Sequence, residues 1–293
     1  MFLFVFSFLL SPDIGLPPAD SLCGFNYFIP DCFLQISTKD IRYMKFKDFI
    51  KLLLKKTDEV LCPERYTCNL CAKEIFDDGD FCDECKKEVH LNDGIICSNC
   101  GRITNIPTKR CYSCSGEWAV DKARSAFLYE DGAEKLIKSL KYGRRKYIAE
   151  ILAPYLKDVY IKNLFTPDVI TFVPMHKKKQ KARGFNQAEL LAENLAKLVD
   201  NRSIALLTKI KETPEQKSLD KKERQENLIS CFKVTNKTLV KGKRILVIDD
   251  VLTTGATAHA VAKVLKRVGA KSVYLLTVAS VQKRLDGNDL VLY

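Results

Sequence analysis

The stretch Arg244–Leu265, RILVIDDVLTTGATAHAVAKVL, limits the folds open to this chain more than any other segment. Ile245–Ile248 is an unbroken aliphatic run, which is typical of a strand buried on both faces of a parallel sheet. Asp249 and Asp250 stand where that strand is expected to end. From Ala258 onward, apolar residues recur at helical spacing. Between acids and helix lies a turn of small and hydroxyl residues, which are Thr253, Thr254, Gly255, Ala256 and Thr257.

A turn of this kind at the start of a helix is suited to binding an anion. Backbone N–H groups and the helix dipole point at the ligand, and glycine lets the backbone come close. Two carboxylates beside a phosphate would repel it unless they hold something else, and sugar hydroxyls or a divalent cation are the usual candidates. The residues alone therefore predict a phosphorylated sugar at a strand-to-helix turn. The alternative is an ordinary strand that happens to end in two acids.

The run IDDVLTTGATA resembles the 5-phosphoribosyl-1-pyrophosphate (PRPP) loop of type I phosphoribosyltransferases. In that family the two acids contact the ribose hydroxyls and the loop holds the 5-phosphate. The resemblance implies PRPP with Mg²⁺ as the ligand. It also implies catalytic and binding roles for Asp249 and Asp250, and a phosphate site at 253–257.

The charge of the chain agrees with an anionic ligand without identifying it. The 293 residues carry 48 Lys and Arg against 36 Asp and Glu, a net charge of +12. This excess favours nucleic acid, nucleotides or a phosphorylated substrate. A solvated, lysine-rich surface is the alternative. The length predicts one or two domains.

Eight of the twelve cysteines form C-x2-C pairs, and the pattern C-x2-C-x10-C-x2-C occurs twice. Two such pairs supply four thiolates to one tetrahedral Zn²⁺, and a closed set of four leaves no position for catalysis. Redox dithiols or disulfides are the alternative. Sequential pairing gives two zinc ribbons, interleaved pairing also satisfies tetrahedral geometry, and a single zinc remains open. The predicted ligands are Cys68, Cys71, Cys82, Cys85, Cys97, Cys100, Cys111 and Cys114.

The chain is expected to divide into four parts. Residues 1–43 are interpreted as a non-native or disordered extension, because Met44 opens a normal-looking protein start; a weak membrane or partner anchor is the alternative. The apolar run Phe2–Leu10 is much shorter than the roughly 20 residues that span a bilayer, so stable membrane insertion is not expected. An amphipathic lead-in helix (44–66), the zinc-ribbon module (67–118) and an α/β domain (119–293) follow.

The remaining elements are read from apolar runs and spacing. Strands are predicted at Arg124–Tyr129, Ser203–Leu207 and Ser272–Ala279, and helices at Gly132–Leu140 and Tyr147–Leu156. The lysine- and arginine-rich loop between these helices is either a solvated connection or part of the anion site.

A second strand–loop–helix unit runs from Asp168 to Leu198. The strand Asp168–Pro174 leads through His176 and a basic loop into a helix at Phe185–Leu198. The run V-P-x-H, with R-G-F-N-Q-A a few residues later, is similar to the ComF family of phosphoribosyltransferase-like proteins associated with competence. In type I phosphoribosyltransferases the corresponding loop meets the pyrophosphate. The resemblance thus implies pyrophosphate contacts from His176, Lys177 and Arg183, with a structural role for the histidine as the alternative.

Thr208–Phe232 is polar, charged and long, and such segments are usually functional or disordered. It resembles the flexible catalytic loop of the amidophosphoribosyltransferase branch, in which a Gln and a later Arg close over PRPP. The resemblance implies that Gln216 binds PRPP and that Arg224 is catalytic. A mobile solvated hairpin is the alternative.

These resemblances identify the chain as a member of the ComF family. They imply an α/β fold, with a type I phosphoribosyltransferase-like parallel sheet flanked by helices and preceded by a small cysteine-rich zinc-ribbon module. One expected function is a cytoplasmic, PRPP-binding accessory of natural competence, with single-stranded DNA and other competence proteins as partners. The other is an active phosphoribosyltransferase with an unknown acceptor. The zinc module is predicted to occupy the position of the variable hood that normally holds the acceptor.

Overall fold

The computed structural model describes residues 67–76, 79–116, 118–211 and 221–282, with the backbone alone at 221, 222, 224 and 225. These residues belong to one compact unit, Arg65–Tyr293. The predicted N-terminal extension (1–43) and lead-in helix (44–66) lie outside the described residues. Among the described helices, none combines the length and the apolar composition needed to cross a membrane.

The helices and strands alternate along most of the chain. The helices are α1 (Asp83–Lys86), α2 (Asp131–Tyr142), α3 (Ile148–Lys162), α4 (Lys177–Arg183), α5 (Gln187–Leu198), α6 (Lys221–Ser230) and α7 (Ala256–Arg267). The strands are β1 (Lys122–Leu128), β2 (Val169–Phe172), β3 (Leu207–Lys209), β4 (Phe232–Val234), β5 (Arg244–Leu252) and β6 (Ser272–Ser280). A 3-10 turn covers Tyr112–Cys114.

Four strands form one parallel sheet in the order β1-β6-β5-β2. Along β5, Leu246 and Ile248 pack into an apolar cluster with α2, α3 and α5, whereas Ile245 and Val247 pack into a second cluster with α7. The sheet is thus covered on both faces, as the unbroken aliphatic run predicted. The predicted α/β architecture is confirmed.

The predicted end of β5 at the acid pair is wrong, because the strand continues to Leu252. On one side β6 accompanies it to the end, with Leu252 opposite Ser280. On the other side β2 stops at Phe172, which lies opposite Ile248. The two acids therefore belong to the strand, at the point where one of its two neighbours has ended. A step of this kind in a parallel sheet leaves an open crevice at the strand ends.

Two predicted loops contain helices. Residues 177–183 form α4, since Lys, Gln, Ala and Arg all favour helix, and it ends at Gly184 with a left-handed φ of 87°. The segment 208–232 begins in β3, contains α6 and ends as β4 starts, and β3 pairs with β4 as an antiparallel ribbon. The strand predicted at Ser203–Leu207 is reduced to a bridge between Ser203 and Ile170 before β3 begins.

The cysteine-rich segment covers the outer edge of β1. Leu128 donates a backbone hydrogen bond to the carbonyl of His90, and Ala123 donates one to the carbonyl of Asn99. At Gly101 (φ 70°) the approach is so close that a Cβ would lie 2.5 Å from the Ala123 carbonyl oxygen. These contacts provide hydrogen-bond partners for backbone groups of β1, an edge strand that would otherwise expose them unpaired.

Candidate functional site

Asp249 and the following turn line one small cavity at the carboxyl end of β5. Its walls come from β5, the turn, the start of α7 and β6, through Asp249, Val251, Leu252, Thr253, Gly255, Thr257, Ala258, Leu275 and Thr277. Thr253 and Thr254 are exposed, whereas Ala256 and Thr257 are half-buried. The first-turn N–H groups of α7 have no acceptor within the helix. That of Ala256 donates to Thr254 Oγ1 at 3.3 Å, and those of Thr257 and Ala258 are the ones suited to an anion. The structure therefore brings the predicted phosphate turn and Asp249 together.

Gly255 makes this turn possible for two separate reasons. Its φ is 85°, in the left-handed region that side chains disfavour. A Cβ at this position would also lie 2.3 Å from Cζ3 of Trp118. The indole thus packs directly on the backbone of the turn, and only glycine fits between them.

The two acids differ in their surroundings. Asp249 is half-buried, while Asp250 is only 5% exposed and forms an ion pair with Lys141. Burial, the adjacent Asp250 charge and a hydrogen bond with Asp250 raise the pKa of Asp249 well above 3.8. A carboxyl group with a raised pKa is stabilised in its ionised form by a divalent cation or by hydrogen bonds from sugar hydroxyls.

A chain of polar contacts links the second loop to the acid pair. Arg183 Nη1 donates to Gln187 Oε1 at 2.7 Å, and Gln187 Nε2 donates to Asp250 Oδ1 at 3.3 Å. Asn186 caps α5 by accepting from the Ala188 N–H at 3.1 Å, and it donates to the Val173 carbonyl at the end of β2. Asn186 thus fixes the start of α5, and Gln187 connects Arg183 to Asp250.

His176 and Lys177 stand at the start of α4. His176 is the N-cap residue of this helix and is half-buried, and Lys177 is exposed. Their predicted contact with pyrophosphate stays a prediction. Gln216 lies outside the described residues. Arg224 falls on α6, of which only the backbone is described at that position, so its catalytic role also stays a prediction.

The segment 208–232, predicted to close over PRPP, is anchored at its C-terminal end. Ile229 and Phe232 are buried in the apolar cluster that contains α7, and α6 packs on α7. Since α7 begins at the phosphate turn, the C-terminal part of the segment lies beside the helix that would hold the ligand.

The eight paired cysteines form two separate tetrads with sequential pairing. The first comprises Cys68, Cys71, Cys82 and Cys85, and the second Cys97, Cys100, Cys111 and Cys114. Within each tetrad the four sulfurs lie within 4.8 Å of one another. The closest pairs are 3.4–3.9 Å apart. Four thiolates at about 2.3 Å from a tetrahedral Zn²⁺ are about 3.8 Å apart, so each tetrad fits this ion. Interleaved pairing is excluded by this geometry.

Two cysteines of the first tetrad differ in pKa: burial and hydrogen bonds with the neighbouring cysteines raise the pKa of Cys85, whereas the backbone favours a thiolate at Cys68. Burial opposes ionisation of Cys68, but backbone N–H groups, among them those of Cys71 and Cys82, outweigh it and lower the pKa of Cys68 to about 6. A thiolate is the form that binds a metal.

The second tetrad is connected directly to the phosphate turn. Arg102, which lies between its two C-x2-C pairs and is 3% exposed, donates through Nη2 to the carbonyl of Thr253 and through Nε to the carbonyl of Val281. Trp118 contacts Gly255 as described above, and the Ala119 N–H donates to His259 Nδ1 on α7 at 3.2 Å. The cysteine-rich segment therefore contacts the phosphate turn directly.

Sequence reasoning missed several of these residues. Lys141 belongs to a basic loop for which the sequence leaves two roles open, and the sequence patterns assign no function to Gln187, Arg102 or Trp118. Only the charge of the basic loop offered a signal for Lys141, since its partner is distant in the sequence. Nothing in the local pattern around Arg102 indicates a contact with residue 253.

Comparison with known proteins gives matches that cover most of the chain. The model of the phosphoribosyl transferase domain matches residues 182–289. The DNA utilization protein YhgH of Salmonella typhi is 30% identical over 218 residues, which are 70% of this chain and 86% of that protein. Competence protein ComFC of Bacillus subtilis is 28% identical over 237 residues, covering 75% of this chain and 93% of that protein. Among solved structures, glutamine PRPP amidotransferase from B. subtilis is 17% identical with a TM-score of 0.36, over 48% of this chain and 30% of that chain.

Proposed function

Because the chain belongs to the ComF family of phosphoribosyltransferase-like proteins, we propose that it binds PRPP and assists the uptake or processing of single-stranded DNA in natural competence. The main observation in support of PRPP as the ligand is the cavity that Asp249 shares with the turn at the start of α7. The DNA role draws on the names of its relatives, one a competence protein and one a DNA utilization protein. The net charge of +12 suits both ligands.

Each segment of the site has one part of PRPP to hold. The N–H groups of the turn 253–257 and of the first turn of α7 take the 5-phosphate. Asp249 and Asp250 accept hydrogen bonds from the ribose hydroxyls. His176, Lys177 and Arg183 supply donors and positive charge to the pyrophosphate, and Gln216 and Arg224 close over it.

Two metals belong to this proposal. Mg²⁺ would be held beside the acid pair, where it would offset the charge of the phosphates. Zn²⁺ in each cysteine tetrad is structural, since four thiolates leave no open position. The proposed division of the chain stays at 67–118 for the zinc module and 119–293 for the phosphoribosyltransferase-like domain, and we propose the cytoplasm as its location.

A binding measurement tests the PRPP site. Calorimetric titration of the zinc-loaded chain with PRPP and Mg²⁺ should give saturable binding, and Asp250→Asn should weaken it about tenfold or more, because a charge-assisted hydrogen bond is lost. The control is Asp158→Asn, which removes the same charge from an exposed position on α3. Equal affinity in all three proteins would refute the assignment of the acids.

An active phosphoribosyltransferase is the second candidate. The Arg183–Gln187–Asp250 chain favours it, because it connects the residues proposed to hold the pyrophosphate and the sugar, between which a bond breaks in a transfer reaction. In that reaction an acceptor nucleophile bonds to C1 of the ribose and the C1–O bond to pyrophosphate breaks. Pyrophosphate release that depends on a nucleobase or amine acceptor and is lost in Asp250→Asn would establish the enzyme. PRPP binding without turnover, together with salt-sensitive DNA binding, would establish the accessory.

The acceptor position in the second candidate is the zinc module. A hood must lie close to the phosphate turn. Two residues of the module, Arg102 and Trp118, contact this turn directly. Crystals soaked with PRPP and Mg²⁺ test this hypothesis, since a cavity open between C1 and residues 97–118 is required.

A further inference from the structure

A surface next to the candidate site combines exposed tyrosines with basic side chains. It consists of the segment Tyr142–Tyr147, which runs from the last residue of α2 through the loop to the residue before α3, together with α4, and we call it the basic-aromatic surface. Neither segment contains an acidic residue. Its basic residues are Arg144, Arg145, Lys146, Lys177, Lys178, Lys179, Lys181 and Arg183, and all of them except the half-buried Arg183 are exposed.

The two segments are joined by contacts between cations and rings. The guanidinium carbon of Arg183 lies 5.2 Å from the centre of the Tyr142 ring. On the other side, Lys146 Nζ lies 5.5 Å from the centre of the Phe185 ring, directly after α4. Both distances are within the range of cation–π attraction. The loop and α4 therefore form one continuous surface.

The rings on this surface are open to solvent. Tyr142 is 74% exposed and Tyr147 is 45% exposed. A single exposed tyrosine needs no explanation, but here two occur in a loop whose other side chains are mainly cationic. An aromatic ring offers a face on which any nucleobase stacks, while the surrounding cations offer partners for backbone phosphates.

Apart from Lys177 and Arg183, the residues of this surface have no role in the proposed PRPP site. PRPP has phosphates but no nucleobase, so it has no group that would stack on the exposed tyrosine rings. In addition, α4 is about 10 Å long at 1.5 Å per residue and carries cations along its length, which suits a chain of phosphates better than one pyrophosphate. The combination of rings and extended charge selects a single-stranded polynucleotide.

We infer that the basic-aromatic surface is the binding site for single-stranded DNA. Bases stack on Tyr142 and Tyr147, and the phosphates pair with the basic side chains of α4 and of the α2–α3 loop. This inference rests on the proposed function, in which DNA is the partner, and adds the place where DNA binds. That place adjoins the PRPP site, since Arg183 contacts Tyr142 on one side and Gln187, the partner of Asp250, on the other.

Removing the rings tests the stacking part of the inference. Binding of fluorescently labelled oligo-dT to the zinc-loaded full chain is measured by anisotropy. Tyr142→Ala and Tyr147→Ala should each weaken binding at least about fivefold, as expected for the loss of one stacked base, whereas Tyr142→Phe retains the ring and should retain affinity. The control is Tyr112→Ala, which removes a similarly exposed ring (73%) from the second cysteine tetrad.

Removing charge tests the phosphate part. In Lys178→Ala/Lys179→Ala, the slope of log affinity against log salt should fall by about 1.4, since each lost contact with a single strand changes it by about 0.7. The control Lys241→Ala/Lys243→Ala removes the same charge from exposed positions before β5, at the opposite end of that strand from the acids. Its slope should remain that of the parent chain.

The outcomes separate this inference from the proposed function. If Tyr112→Ala weakens DNA binding and Tyr142→Ala does not, DNA binds at the cysteine-rich segment and the inference is overturned. It is also overturned if the parent chain binds PRPP but no single-stranded DNA. If DNA binding depends on Tyr142 while PRPP does not bind, the inference stands and the PRPP proposal fails. Zinc content and thermal unfolding of each variant show that the fold is retained.

Discussion

Among single residues, Gly255 carries the strictest requirement. Its left-handed backbone turns the chain from β5 into α7, and the absence of a side chain lets Trp118 rest on it. The same residue thus determines both the local conformation of the phosphate turn and its contact with the cysteine-rich segment. These two contributions can be separated, because Gly184 has nearly the same φ and nothing within 4 Å of its missing Cβ.

We predict that Gly255→Ala destabilises the protein more than Gly184→Ala does. Both substitutions force alanine into the left-handed region, at a cost of about 1–2 kcal/mol. Only at Gly255 does the new methyl group collide with the indole, which adds roughly 1–3 kcal/mol. Urea unfolding measures the difference between the variants. Equal destabilisation would mean that Trp118 moves aside freely and does not hold the turn.

We predict that the charged form of Asp249 favours PRPP binding but lowers the stability of the folded protein. Burial and the charge of Asp250 raise the pKa of this carboxyl in the folded state above its unfolded value, near 3.8. The folded protein therefore binds the proton more tightly, and stability falls as the pH rises from about 4 to the raised pKa and stays lower above it.

Asp249→Asn removes the loss of stability that ionisation of Asp249 causes, and it weakens PRPP binding. The variant should be more stable than the parent at neutral pH, and the difference should vanish below about pH 4. Urea midpoints measured across this range, with Asp158→Asn as the exposed control, provide the comparison. A difference that is independent of pH would show that ionisation of Asp249 is not its cause.

Residues of the candidate site were predictable where neighbours in sequence are neighbours in space. An aliphatic run, two acids and a glycine-containing turn are consecutive, so the cavity that Asp249 shares with the turn follows from the geometry of one strand and one helix. Lys141 and Arg102 reach the same site from separate parts of the chain. Their contacts depend on how α2 and the cysteine-rich segment pack on the sheet, which no local pattern contains.

At the scale of elements, the contact between the second cysteine tetrad and the phosphate turn is the main finding. Arg102 lies within the loop that the tetrad closes, and its guanidinium reaches the carbonyl of Thr253. A metal in this tetrad would therefore fix the loop from which the arginine projects. The position of the turn then depends on the integrity of a site that performs no chemistry.

We predict that Arg102→Ala weakens PRPP binding about tenfold without loss of zinc. The substitution leaves the Thr253 and Val281 carbonyls without their charged donor, at a cost of about 1–3 kcal/mol. Arg110→Ala, an exposed arginine of the same loop, should bind PRPP as the parent does. Calorimetry gives affinity and metal analysis gives zinc content. Unchanged PRPP affinity in Arg102→Ala would show that the turn is rigid without this contact.

The existence of most elements followed from periodicity, while several boundaries did not. Acids at the end of an aliphatic run suggest that a strand stops, yet β5 continues because β6 pairs with it as far as Ser280. Likewise, the lysine-rich run 177–183 lacks apolar periodicity but still forms a helix, since its residues favour that conformation and Gly184 ends it. In both cases the outcome depends on information outside the hydrophobic pattern.

At the scale of the whole unit, the cysteine-rich segment passes around the edge of the sheet at β1. The first tetrad contributes Cys68 and Cys85 to the apolar cluster of α2, α3 and α5, while the second contributes Cys97, Cys100 and Cys114 to the cluster of α7. The two tetrads therefore stabilise opposite faces, and only the second lies on the face of the phosphate turn.

This arrangement predicts different consequences for the two tetrads. Cys71→Ser and Cys111→Ser should each lower the zinc content by one ion per chain, because each removes one of four ligands. PRPP affinity should fall clearly in Cys111→Ser, which releases the loop that carries Arg102, and much less in Cys71→Ser. Calorimetry on both variants, matched by metal analysis, gives the comparison. Equal loss of affinity would indicate that the tetrads act through overall stability.

Trp118 is the only tryptophan in the chain, is 9% exposed and lies on the backbone of Gly255. Its fluorescence therefore reports on one place, the turn proposed to hold the 5-phosphate. PRPP should change the emission of the unlabelled protein, and single-stranded DNA on the basic-aromatic surface should change it less. The chain thus contains its own optical probe, with which arrival of the sugar phosphate can be timed in stopped-flow experiments without any added dye.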